Sequence, residues 1–205
     1  MSPNIHYENR EIEGERLELT DKKAIYWLGP NVTLRRCTLI TNISARWLHL
    51  LPGSLIDCTI HAKSQLKGLP WAPMKLKGCR FKGRFAGNDF GFREDGDARA
   101  RAGGIEDCDF SEAQLHGVAF FNCDMGTIRL PRWPCFTFLE PLRHAVALRQ
   151  CAWPGLVGQT TVQASCESPA GVVAVTWHAP TVAEKKDTTV EELRAALETA
   201  PGVFM

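Results

Sequence analysis

No stretch of the chain approaches the roughly 20 consecutive apolar residues of a membrane-spanning helix. The opening Met1-Ser-Pro-Asn-Ile-His-Tyr-Glu-Asn-Arg10 has no apolar signal core. A soluble, unexported, cytoplasmic protein without membrane contact is therefore expected. Charge of one sign is lacking as well: 24 Lys and Arg face 23 Asp and Glu, a net charge of +1. So small a charge gives little long-range attraction for nucleic acid or an anionic surface. A uniformly basic DNA binder and a uniformly acidic DNA mimic are both disfavoured. No Cys-x-x-Cys pair occurs, and among the cysteines at 37, 58, 79, 108, 123, 135, 151 and 166 only Cys58 has a partner at a short zinc-ligand spacing, His61, a single pair that falls short of a four-ligand site. Neither a metal nor a cofactor is expected, and without an export signal the thiols should be free. Gly-x-Ser-x-Gly, the phosphate-cradling Gly-x-x-x-x-Gly-Lys-Ser/Thr and His-Glu-x-x-His are all missing, and the six histidines share no motif. The chain is accordingly read as a non-enzyme with no catalytic residues.

What is present is a period. Five cysteines carry an apolar residue three before and another two after, as in Leu34-Arg-Arg-Cys37-Thr-Leu39, Leu55-Ile-Asp-Cys58-Thr-Ile60 and Leu76-Lys-Gly-Cys79-Arg-Phe81. The same frame recurs around Cys108 and Cys123, and from Ile105 a five-residue step runs through Phe110, Leu115, Phe120, Met125 and Leu130. The residues two before these are small or β-branched in nearly every case. Five matches neither the 3.6 of a helix nor the 2 of a strand. It suits a chain that turns a corner every five residues with two side chains pointing inward from each side. Leu34, Leu55 and Leu76 also stand 21 apart, and Leu76 and Ile105 stand 29 apart. The excess falls in a charged segment, 94–101, expected to loop out of the wall. Two columns follow, one of Leu34, Leu55, Leu76, Ile105 and Met125, the other of Leu39, Ile60, Phe81, Phe110 and Leu130. Cys37, Cys58, Cys79 and Cys108 form a third, read as a packing ladder of small apolar groups.

Over residues 32–130 this pattern resembles the pentapeptide-repeat family. The resemblance implies a mainly β fold, a right-handed parallel β-helix of four sides. Residues 1–31 are expected to form an N-terminal cap with Trp27 in its core. Residues 131–205, where Pro131 and Pro134 break the period, are expected to form a C-terminal mixed α/β cap. There, 140–151 reads as a helix, 153–169 as loop, and 171–177 as a strand. Thr189-Val-Glu-Glu192 is a capping box opening a final helix with the stripe Val190, Leu193 and Leu197, a stripe that could also form a homodimer seam.

Charge is unevenly placed. From 62 to 101 there are ten Lys or Arg and four acids, whereas from 104 to 125 there are five acids and no Lys or Arg. Adjacent turns should therefore carry opposite signs, either paired on the wall or presented to a partner. The candidate partner-binding residues are Lys75, Lys77, Arg80, Lys82, Arg84, Arg99 and Arg101 on one side, and Glu106, Asp107, Asp109, Glu112 and Asp124 on the other. His116 is expected to be a solvated corner. A solenoid filled by its own side chains has no internal pocket, so function is expected on the walls, the loop and the cap. The leading expectation is a non-catalytic protein-binding module, specifically a bacterial immunity protein that occludes a toxin or effector. Family resemblance also implies an alternative, modulation of a DNA-handling enzyme such as gyrase. A third reading is an enzyme with its site near Cys151, Cys166 and His178.

Overall fold

The computed structural model describes residues 3–94, 98 and 101–205. The chain is a mainly β structure, 43% strand and 19% helix, whose parallel sheets stack as a β-solenoid of about four turns. Strands β1 (Asn4–Tyr7), β2 (Arg10–Glu13) and β3 (Arg16–Leu19) lie on three sides of the first rung. β4 (Ile25–Leu28), β5 (Val32–Arg35) and β6 (Thr38–Thr41) pair onto them in parallel, and β7 (Leu48–Leu50), β8 (Gly53–Ile56) and β9 (Thr59–Lys67) onto those. Above come β10 (Met74–Lys77) and β11 (Arg80–Ala86), then β12 (Asp89–Gly91), β13 (Gly104–Glu106), β14 (Asp109–His116) and β15 (Val118–Phe121). Residues 4–24, expected as part of a cap, instead form the solenoid's first turn in the same three ladders, and β4 begins the second. The sides of the first turn span six or more residues, so the five-residue step does not register there.

The columns are as the spacing predicts. Leu34 pairs Leu55, Leu55 pairs Leu76, and Leu76 pairs Ile105; Leu39 pairs Ile60 and Ile60 pairs Phe81. Phe110 stacks on Phe81 with centroids 4.4 Å apart. In the last complete rung both members of each inward pair are buried, as in Cys108 with Phe110, Ala113 with Leu115 and Val118 with Phe120. The corner before each column cysteine is left-handed, at Arg36, Asp57, Gly78 and Asp107 with φ of 51°, 53°, 63° and 53°. Asp and Gly tolerate that conformation, and it turns the chain between two sides. Cys37, Cys58, Cys79 and Cys108 are buried and unbridged. The thiols of Cys58 and Cys79 each donate to a carbonyl of the rung below, Leu34 O and Leu55 O, at 3.3 Å. Met125 leaves its expected column. Asp124 accepts from the Gly126 N–H at 2.8 Å and starts a 3-10 turn, Met125–Thr127, in place of a wall strand.

The C-terminal unit continues the wall. β17 (Val172–His178) pairs antiparallel with β15, β16 (Cys135–Leu139) with β17, and β18 (Val203–Phe204) with β16. Helices α1 (Ala145–Gln150), α2 (Gln163–Cys166), α3 (Ala179–Lys185) and α4 (Val190–Thr199) pack on this extension around Phe136, Phe138, Leu148 and Val162. The helix expected over 140–151 forms only from Ala145, and the expected loop over 153–169 contains a π-helical turn, Gly158–Val162, leading into α2. The capping box of α4 is present in both directions. Leu193 and Leu197 of the expected stripe are buried in this second core, while Val190 is half-buried. Among the described residues no helix is long and apolar enough to cross a membrane.

Candidate functional site

The outward positions of β8, β10 and β13 line a surface groove of about 640 Å³, together with Phe92, Asn122, Cys123, Asp124 and Thr127. Lys75, Lys77, Glu106 and Asp124 line it, so four of the expected partner-binding residues share one depression. An adjoining depression of about 790 Å³ shares Lys75 and Phe92 and adds Arg101 and Thr33. The inserted segment is anchored at both ends. Asn122 Nδ2 donates to the Phe92 carbonyl at 3.0 Å, and a Cβ on Gly103 would lie 1.9 Å from the Ala72 carbonyl oxygen. Only glycine lets the chain rejoin the wall there. Most of the 94–101 loop, Arg99 included, lies outside the described residues.

The wall charges meet across rungs. Lys77 pairs with Glu106 at 2.6 Å and Lys82 with Glu112 at 2.8 Å, while Arg80 and Arg129 approach Asp109 at 3.9 and 3.8 Å. Burial by itself would raise the Asp109 carboxyl. Hydrogen bonds from Ser111, with Arg129 and Arg80 nearby, nonetheless hold it below the usual carboxylate range. Such exposed pairs are screened by solvent and add little to stability. Their main effect is to cancel the opposed patches over much of the wall. Asp107 occupies a left-handed corner and Asp124 caps a turn, so both have structural roles. Lys75 and Arg84 are exposed cations without an ion pair among the described residues. Phe92 and Asn122 complete the groove but carry no periodic signal in the sequence.

His116 departs from expectation. It points outward from β14, yet Trp177 of β17 covers it edge to face at 5.2 Å, and its buried Nδ1 has no hydrogen-bond partner among the described residues. Burial, reinforced by Lys185, His178 and Lys186, pushes its pKa down to about 4 from 6.5. A depressed folded pKa means the unfolded chain binds the proton first. Stability contributed by the neutral ring is present above pH 6.5 and is lost as pH falls towards 4. We expect the ring's NMR titration midpoint near pH 4, and a His116→Gln variant whose melting temperature varies less between pH 6.5 and 4 than the parent's.

The third constellation does not assemble. Cys151 Sγ donates to the Ala147 carbonyl at 3.3 Å, and Cys166 lies in the second core, where burial raises its thiol. His178 Nδ1 contacts Thr181 Oγ1 at 2.8 Å and Gln114 Nε2 at 3.2 Å, not a thiol. A raised thiol pKa disfavours the thiolate that nucleophilic chemistry needs. Among the described residues no three His, Cys, Asp or Glu side chains are grouped to hold a metal. Compared with protein-family models and with curated proteins, the chain matches none.

Proposed function

We propose that the chain is a protein-binding module of the pentapeptide-repeat kind that grips a protein partner in the groove beside the inserted segment. Occlusion of a toxin or effector is the immunity role this reading favours. The supporting observation is the groove itself, where half-buried Phe92 stands beside Lys75, Lys77, Glu106 and Asp124. A partly apolar surface rimmed by both signs of charge suits a protein segment, with the charges fixing its orientation. DNA mimicry is the weaker reading because it needs a continuous acidic wall. Here Glu106, Asp109 and Glu112 are paired with cations of the rung below.

Affinity capture from source-cell lysate at low salt, with mass spectrometry of what is retained, tests the proposal. The parent should retain one dominant protein. K75E, which breaks no ion pair among the described residues, should bind it about tenfold more weakly while melting like the parent. The swap K77E/E106K keeps its pair, reverses the local field and should also weaken binding. No retained protein at low salt, or indifference to these reversals, would overturn the reading.

A further inference from the structure

One of the parallel ladders is shorter than its neighbours. β1, β4 and β7 form a three-stranded sheet that ends at β7. Pro70 stands 21 residues beyond His49, where the next rung's strand would pair, yet its bridge is to Asp89 above rather than to β7 below. Between them lies a cavity of about 600 Å³, lined by Trp27, Arg46, His49, Lys67 and Pro70 among others. A second depression of about 360 Å³ adjoins it, sharing Arg46 and Lys67 and adding Lys22 and Trp47.

Trp27, expected in a cap core, is outward on β4 and half-buried. It sits in a ladder with His6 at 5.8 Å and His49 at 4.2 Å, tilted by 3° and 22°. His6 covers one face of the indole and His49 the other, so the ladder's next rung is the space beyond His49, towards Pro70. The indole Nε1 is buried without a hydrogen-bond partner among the described residues. No Asp or Glu lines either depression, while Lys22, Arg46 and Lys67 do, and none of the three has an ion pair among the described residues. On the neighbouring walls, by contrast, most cations meet a carboxylate. Stacked rings ending in an open face, beside cations without counter-charge, suit a flat aromatic group carrying an anion. A volume of several hundred Å³ is the usual size of a small-ligand site.

We propose that this gap binds a nucleotide unit, its base stacking beyond His49 as the ladder's fourth ring and its phosphate meeting Arg46 and Lys67. The unit comes either as a free nucleotide or as part of a single strand. The site lies outside the groove assigned to the protein partner and does not depend on that assignment.

Isothermal titration of the purified chain with adenosine monophosphate, inorganic phosphate, adenosine and a short oligothymidylate tests it. Adenosine monophosphate or the oligonucleotide should bind at least about tenfold more tightly than phosphate or adenosine. Whichever of the two binds more tightly names the source. H49A and R46Q/K67Q alter only outward side chains and should keep the parent's circular dichroism and melting. Each should weaken binding about tenfold. Nucleotide binding no tighter than phosphate, binding unchanged in folded R46Q/K67Q, or no heat with any of the four would overturn the proposal.

Discussion

Phe110→Ala should lower the free energy of unfolding in urea by about 4 kcal/mol. Phe110 is fully buried, stacked on Phe81 at 4.4 Å and edge-on to Phe90 at 5.0 Å and Phe120 at 5.3 Å. Truncation removes the ring's transfer energy and leaves a void between rungs that cannot close, because hydrogen-bonded ladders fix their spacing near 4.8 Å. Phe110→Leu fills most of that space and should lose only about 1–2 kcal/mol. A loss below about 1 kcal/mol for the alanine variant would mean that the rungs are not close-packed at this level.

Asn88→Val should cost about 3 kcal/mol although it replaces a polar core residue with an apolar one. Asn88 is fully buried on the inward side and precedes Asp89, which pairs with Ala119; one rung on, the equivalent position is Val118. Shape alone would therefore favour valine. Hydrogen bonding decides otherwise: Asn88 Oδ1 accepts from Trp71 Nε1 at 3.2 Å, and its Nδ2 donates to Leu66 O and Ala86 O, each at 2.9 Å. Valine strands the indole N–H and deprives two carbonyls inside an apolar core. If that is the cause, Trp71→Phe in the Asn88→Val background should cost less than in the parent, since the stranded donor goes with it. Equal stability of parent and Asn88→Val would remove the argument.

The interval of 29 that sets Ile105 above Leu76 also sets Glu106 above Lys77 and Asp109 above Arg80. The same arithmetic that reveals the columns therefore reveals the cross-rung pairing, and the opposed patches were legible as partners of each other. Solenoid geometry was legible from 103 because each side up to Phe121 has five residues and each inward pair a large and a small member. In the first turn β1, β2 and β3 begin at 4, 10 and 16, a step of six, so the same inward alternation is present without the five-residue signature. Trp27 was misplaced for a related reason. An apolar run, Ala24-Ile-Tyr-Trp-Leu28, looks uniformly buried, whereas strand alternation turns Tyr26 and Leu28 inward and Trp27 outward. In the C-terminal unit the final helix announces itself through its capping box. β16 does not, because it is short and lies between Pro134 and Pro141, and α3 does not, because it is short and carries Pro180 in its first turn; the burial of both depends on a sheet completed only by distant β15. Neither the groove nor the gap beyond His49 was legible: the groove is completed by Phe92 and Asn122, which lie outside the periodic pattern, and the gap by a ladder that stops at β7.

The cysteine column gives the molecule a built-in clock. One thiol sits on each of four consecutive rungs, at 37, 58, 79 and 108, each shielded by its neighbours. An alkylating reagent added to the native protein can reach a given sulfur only while that layer is open. The order in which the four become tagged, read by peptide mass, thus records from which end the spiral unwinds.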